Sequence, residues 1–528
     1  MAVPKRIYSL ETEYALMRED HDSGSAGEIY DQMEAVLCAR HASVACDTVG
    51  PRSNSGRFSG MIELKEGLFL DTGARVYYDT GHVEWACPES DNAVDATVWD
   101  IAADHELEEA AGSTAVGSRV LVVKNNIDYT TQTTYGCHEN YSTARRCSSS
   151  LGQMVAFLVT RTMLCGAGRW GSPREPLDDS AAFQISQRAD FIEEISSKDT
   201  RDNRAILNER DESLADSRIY RRLHLILGDS NLSHWTNLIK LGSTGLVLDA
   251  MEQGFLKGAP ELQNPVHVLH EISRDLSCGK LYALKGGGRA SALEIQRWYY
   301  RAVERATASY PPQDRRLAIL RLWREVLDDL EASPERLNDR ADWRIKYRFF
   351  DQDVFPRLRT SWEEIGLWNG IIARTRSVDA PPAELDAKSW FESRLRRSEI
   401  MAIQDAVEQR RLDWRDYARQ RRNYFALRAL DVRFHDISRG QGLFHSQPMR
   451  NSLPGITAEA VQTARCEPPR HTRAWLRGRM IRSSRVPLAA LDWDQVYLRD
   501  GRTIPLPDPF AARESTVERL LHLPAEDA

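Results

Sequence analysis

The 528-residue chain contains no apolar run approaching the roughly 18 residues that span a bilayer, and its opening residues, MAVPKRIYSL, lack the apolar core of a secretion signal. Its eight cysteines form no CxxC pair and no zinc-type spacing, so they read as reduced thiols of a cytoplasmic protein. Positive charge is not in excess. Lys and Arg total 70 against 77 Asp and Glu, a net charge of −7, and nothing in that balance favours nucleic acid or an anionic membrane. A GxxxxGK[ST] phosphate loop, a GxSxG elbow, an HExxH helix and internal repeats are all missing. What remains, 42% hydrophobic and 28% charged, is ordinary for a globular protein with a large core and room for more than one domain.

The most informative stretch is LDTGARVYYDTGHVEWACPE, residues 70–89. In a strand, alternate side chains share a face, so Arg75, Tyr77 and Asp79 lie opposite Ala74, Val76 and Tyr78. The Asp79-Thr80-Gly81-His82 turn signal makes the segment a hairpin, and Glu84 and Glu89 add carboxylates on its returning arm. RIYSLETEYALM alternates in the same way, with Tyr8, Leu10, Thr12, Tyr14 and Leu16 on one side and Ser9, Glu11 and Glu13 on the other. Helical spacing marks residues 27–40, 92–111 and 151–166, the last ending at a Gly166 cap, and dominates from about 290 to 435. The stretch 47–66 reads as a long Gly-, Ser- and Arg-rich loop. The expectation is an α+β fold with a large antiparallel sheet: a catalytic domain over 1–450 and a small C-terminal domain over 451–528.

Glu11, Glu13, Asp79, Glu84 and, if the returning arm extends that far, Glu89 would repel one another if strands brought them together, unless a cation sat among them. Hard oxygen donors suit Mg²⁺ held with nucleotide phosphates, and Arg75 could face phosphate oxygens bidentately. The plainer alternative is a set of cross-strand salt bridges on a solvated sheet face. Other candidates are weaker. His267 and His270 form an isolated i,i+3 pair, Cys137 and His138 are adjacent on a strand and so face opposite ways, and the basic stretch 410–428 reads as a solvated helix face or a contact for an acidic protein.

LETEY, GARVYYDTGHVEWACPES, KNNIDY…YGCHENY, QISQRADFIE, YRRLHLILGDSN, SALEIQRWYY and HDISRGQGLF occur in this order between about residues 6 and 512. The series resembles the Pup–protein ligase and Pup deamidase/depupylase family, relatives of glutamine synthetase. The resemblance implies a glutamine synthetase-like curved sheet cradling ATP and Mg²⁺, with a small C-terminal domain. It places Glu11, Tyr77 and Glu84 at magnesium, Arg75, Cys87 and Trp493 at the nucleotide, and Asp79 at the catalytic centre. Arg188, Arg210 and Arg221 are carried as phosphate or substrate clamps. The implied partners are a Pup-like modifier ending in Gln or Glu and lysine-modified protein targets.

Signals for the two branches are mixed. The interval from Asp79 to Glu84 is one residue shorter than in the ligase branch, and this, with CPES and FQISQR, tilts the reading toward the deamidase/depupylase. LETEY, YGCHENY and HDISRGQG tilt the other way. The family's Pro-His after RDE is replaced by Ser213-Leu214, a departure at a substrate or phosphate contact. A nucleotide-binding adaptor without turnover is the third alternative, against which the retention of Asp79 speaks.

Overall fold

Period-two patterning produces the central strands. In a computed structural model of the chain, which describes residues 4–20, 26–45, 67–79, 81–116, 118–129, 133–171, 183–199, 202–208, 210, 214–366, 372, 385–409, 413–450 and 452–512, residues 8–18 form the middle strand of a ten-stranded sheet. The stretch 47–66 and Ser213 lie outside the described residues.

The strands are β1 (Tyr8–Arg18), β2 (Ser43–Ala45), β3 (Gly67–Leu70), β4 (Arg75–Asp79), β5 (His82–Ala86), β6 (Val120–Val123), β7 (Cys137–Ala144), β8 (Glu194–Ser197), β9 (Ala205–Asn208) and β10 (Tyr220–Leu225). Their order is β8-β9-β10-β7-β1-β5-β4-β3-β2, with β6 also pairing β1. All neighbours are antiparallel except β8 and β9, which run parallel, so the sheet is mixed where a purely antiparallel one was expected. The fold class, α+β around one large sheet, is as the sequence implies.

The helices that matter are α1 (Ala26–Arg40), α2 (Ala93–Gly112), α3 (His234–Glu252), α4 (Ala292–Thr307), α5 (Arg315–Ala332), α6 (Trp414–Arg433), α7 (Ala458–Cys466) and α8 (Arg473–Arg482). Local chemistry starts several of them. Asn92 caps α2 by accepting from the Asp95 amide, and Ser291 with Glu294 forms a capping box on α4. The apolar sheet face packs on this helical layer. Leu10, Tyr141, Leu223 and Leu225 enter one core with α3, α4 and α5, while Tyr14, Val76, Val83 and Trp85 enter a second with α1 and α2. Tyr78 stacks on Tyr30 of α1 with ring centroids 5.3 Å apart, on the side opposite Tyr77. Among the described residues no helix is long and apolar enough to cross a membrane.

The single helix expected over 151–166 is broken. A 3₁₀ stretch, Arg145–Met154, leads into two short helices, Val155–Thr160 and Thr162–Cys165. Gly166 is extended, with ψ 146°, rather than left-handed. Apolar periodicity reports which side is buried and says little about where hydrogen bonding tightens.

Residues 452–512 contribute α7, α8 and a three-stranded sheet of β11 (Leu488–Leu491), β12 (Gln495–Leu498) and β13 (Thr503–Pro505). Phe69 of β3 belongs to the same apolar cluster as Leu476, Met480, Val496 and Ile504. We propose a C-terminal module from residue 451, docked on β3 through this cluster.

A charged network joins the same parts. His41 contacts Asp71 at 3.2 Å and Glu106 at 3.0 Å, while Arg482 of α8 reaches Asp71 and Arg465 of α7 reaches Glu106. Burial opposes protonation of His41, but the two carboxylates outweigh it and raise its pKa to about 9. A raised histidine stabilises the fold fully below its unfolded pKa of about 6.5 and loses that contribution as pH climbs through the folded value. Thermal melts between pH 6.5 and 9.5 should therefore show a decline in Tm that is smaller in His41→Gln; identical declines would refute the role given to His41.

Candidate active site

The open face of the sheet collects the side chains left over from the apolar alternation. Cross-strand pairing puts Glu11 of β1 beside His138 of β7, Tyr77 of β4 beside Glu84 of β5, and Glu84 beside Glu13. Directly opposed residues share a face, so the three strands β4, β5 and β1 deliver one cluster. The Tyr77 hydroxyl lies 2.5 Å from Glu11 Oε1 and also contacts Glu84 Oε2. Glu84 is buried, and Glu11 is partly so.

The Tyr77 hydroxyl stands between two carboxylates. Burial and the two neighbouring carboxylates push the Tyr77 hydroxyl well above its ordinary pKa, so it keeps its one hydrogen, which can satisfy only one carboxylate at a time. Burial also opposes ionisation of Glu11, but the His138 hydrogen bond and the positive charge of His138 and Arg222 hold its carboxyl well below the usual range. Hard oxygens converging on one point, with Glu11 held ionised, are a donor set that fits Mg²⁺.

A second group adjoins the first. Ligand atoms of Glu11, His138 and His224 all lie within 4.8 Å of one another. His138 Nδ1 is 3.3 Å from Glu11 Oε2, and the two imidazole rings meet edge-on at 4.9 Å. Burial, then the charges of Arg222 and His138, hold His224 well below its ordinary pKa, which leaves a neutral imidazole suited to a metal. Sequence reasoning missed His224. The signal was available, because His138 on β7 and His224 on β10 occupy the polar parity of adjacent strands.

Two glycines shape the floor. Gly81, at φ +101°, closes the β4–β5 turn in a conformation that a side chain disfavours, and brings Asp79 opposite His82. A Cβ on Gly136 would come within 2.3 Å of His138 and 2.9 Å of Glu13, whose carboxylate accepts from the Gly136 amide at 2.7 Å.

Asp79 shares the face of Tyr77 and sits two residues further toward the hairpin tip. Arg75 lies in the other direction, its guanidinium 4.4 Å over the Tyr77 ring. Phe69, paired with Arg75 across β3 and β4, meets the Trp493 ring edge-on at 5.1 Å, so Trp493 reaches the same end of the site. Arg210 follows β9, and its charge acts on His224.

Other expectations need correction. Cys87 has the parity of Trp85, is buried in the helix-side core, and burial pushes its thiol well above the ordinary range; only its backbone borders the open face. Arg188 is buried and spends its guanidinium on Ile226 O at 3.0 Å, Thr134 Oγ1 at 3.1 Å and Tyr135 O, because a buried charge needs acceptors. It props β10 rather than clamping a ligand. Arg221 has the parity of Leu223 and Leu225, which line the core, whereas Arg222 has that of His224 and donates to Asn140 at 2.8 Å. Of the two β10 arginines, Arg222 is the one on the open face. Glu89 is also elsewhere, locked between Arg473 and Arg477.

The family model described as Pup-ligase protein matches residues 6–398 and 398–497. A Pup–protein ligase of Actinosynnema mirum is 31% identical over 534 residues, covering 98% of this chain and 99% of the relative. The chain belongs to the Pup-ligase protein family. A Pup deamidase/depupylase of Mycolicibacterium smegmatis is 32% identical, covering 86% of this chain and 80% of that one. A crystal structure of Pup in complex with its ligase PafA matches with a TM-score of 0.69 at 28% identity, over 98% of this chain and 92% of that one. PafA in complex with ADP matches with a TM-score of 0.63 at 30% identity, over 86% and 89%. This Pup-ligase family chain is thus an enzyme of the ligase or deamidase/depupylase kind, and the matches favour the ligase over the hydrolytic reading suggested by the residues near Asp79.

Within the Pup-ligase site, the parity of β10 yields a paired test. Arg222→Ala should weaken ADP·Mg²⁺ binding about 10- to 100-fold, the scale of a lost charged hydrogen bond, while Arg221→Ala should change it less than about threefold. Calorimetric titration of both variants decides it, and a larger loss for Arg221 would reverse the assignment of faces.

Proposed function

We propose that the chain is an ATP- and magnesium-dependent Pup–protein ligase that joins the side-chain carboxylate of a Pup-like modifier's C-terminal Glu to a lysine of a target protein. The observation that carries this reading is the placement of Asp79 on the same open face as Glu11, Tyr77 and Glu84, at the tip end of the hairpin. The near-equal length shared with the A. mirum ligase supports the direction, as does the fifth of the M. smegmatis deamidase/depupylase that this chain leaves unmatched.

A carboxylate resists attack because its oxygens leave poorly. In the proposed reaction a modifier carboxylate oxygen attacks the γ-phosphorus of ATP, the bond to the β-phosphate oxygen breaks, and ADP departs. The lysine nitrogen then attacks the acyl carbon, phosphate leaves, and the nitrogen's proton passes to Asp79. Glu11, Tyr77 and Glu84 would hold Mg²⁺, whose charge offsets that on the phosphoryl oxygens. Arg75 and Arg222 stand on the same face at the nucleotide end, where guanidinium groups complement phosphate. Trp493 would meet the nucleotide.

The second reading, hydrolysis of the amide or isopeptide bond, is favoured by the short interval between Asp79 and Glu84. One assay separates the two. Purified protein with ATP·Mg²⁺, the modifier in Glu- and Gln-ended forms and a lysine-bearing target should release ADP in step with a new conjugate. Ammonia from the Gln form, or modifier freed from a conjugate, without new conjugate would overturn the ligase reading. Asp79→Asn should lose about 10²- to 10⁴-fold in turnover, the scale of a general base, while still binding ATP. Unimpaired turnover would exclude Asp79 from the chemistry.

A further inference from the structure

Glu89 lies in the buried joint between the sheet and the C-terminal segment. Burial opposes its charge, but Arg477 and Arg473 outweigh this and bring its pKa down to about 2. Arg473 gives Glu89 Oε1 a bond of 2.9 Å and turns its other end to Leu506 O at 2.7 Å. Arg477 forks onto both carboxylate oxygens, with Nη1 3.0 Å from Oε1 and Nη2 on Oε2. The same Nη1 donates to Trp493 O at 2.8 Å. The Arg477 guanidinium, wholly buried, lies 5.1 Å from the Trp493 ring centroid and 5.5 Å from that of Phe69.

Trp493 is therefore held at three points: its carbonyl by Arg477, its ring by the same cation, and its ring again by a T-shaped contact with Phe69 at 5.1 Å. The indole is only partly buried, so it keeps surface for a planar ligand. Arg473, by contrast, divides its bonds between Glu89 and Leu506 O. A planar cation bonded at both ends fixes an aromatic ring more tightly than apolar packing, since few rotamers satisfy all its partners.

We propose that Arg477, anchored by Glu89, is a positioning residue that sets Trp493 against the purine of the nucleotide and so makes ATP affinity depend on the docking of the C-terminal segment. The inference rests on the reading of Trp493 as a nucleotide contact, and its test distinguishes the two. Arg477→Lys keeps the charge but loses the planar fork.

In the full-length chain, Arg477→Lys should raise the dissociation constant for ATP·Mg²⁺ roughly three- to tenfold, the scale of a desolvated cation–π contact, with kcat at saturating ATP held within about twofold. Trp493→Ala should weaken binding in the same direction, and adding Arg477→Lys to it should cost nothing further. Arg473→Lys, which loosens the same anchor but leaves the Arg477 fork and its bond to Trp493 in place, should lower Tm and cost less ATP affinity than Arg477→Lys. Multiplying effects of Arg477→Lys and Trp493→Ala, or an equal loss of affinity in Arg473→Lys, would reduce Arg477 to a structural role and overturn the proposal. Unchanged affinity in Trp493→Ala would remove Trp493 from the nucleotide site and the proposal with it. If Arg477→Lys does not fold, Glu89→Asp shortens the anchor by one methylene and is read against the same outcomes.

Discussion

Two carboxylates and one phenol meeting at a point, with a single hydrogen between them, is the constraint on which the site depends. Glu11, Tyr77 and Glu84 come from three adjacent strands, so none can withdraw without breaking sheet register, and a one-residue slip would send all three to the helical side. A divalent ion bound there would offset the repulsion between the carboxylates. Sheet geometry thus holds the carboxylates together, and on the proposed reading a metal–triphosphate complex would meet their charge.

The alternation of β1 and of the β4–β5 hairpin was legible because each buries only one face: Leu10, Tyr14, Val76 and Trp85 go to the helices, and what alternates with them must face outward. The same rule, applied with care to YRRLH, selects Arg222 over Arg221. Cys87 illustrates its reach, since a family motif can align a residue with a site while the pleat turns its side chain away. Tertiary satisfaction was not legible. No spacing announces that Arg188 will be consumed by Ile226 O and Thr134 Oγ1, or that Glu89 will be claimed by α8, nearly 400 residues along the chain. Such pairings are settled by which distant groups share a buried space, and composition carries no trace of them.

The C-terminal segment closes over β3 with charge as well as apolar area. Glu89 holds α8, and His41, Asp71 and Glu106 hold α7 and α8 from another side. Buried ion pairs contribute little net stability over well-packed apolar residues, yet removing one partner is costly, on the order of 3–5 kcal/mol. They act here as registry devices. Phe69 and Trp493 meet in a T-shaped contact with these charged pairs on either side.

The direction of the reaction has to be decided away from this cluster. A carboxylate such as Asp79 is a far weaker base than a lysine amine, so in the proposed reaction it would take the proton only as the new C–N bond forms and the nitrogen becomes acidic. Its position in that step matters more than its basicity. Run backwards, the same carboxyl group returns a proton to a departing amine, and with water as nucleophile it completes hydrolysis. On the proposed reading one carboxyl group could thus serve either reaction, taking a proton from an attacking amine or returning one to a departing amine. What separates them is delivery: a surface that presents a lysine and excludes water makes a ligase, and one that admits water beside the acyl carbon makes a hydrolase. The catalytic face could therefore stay nearly constant while its surroundings diverged, which is why residues near Asp79 can point to one branch while the length of the chain points to the other.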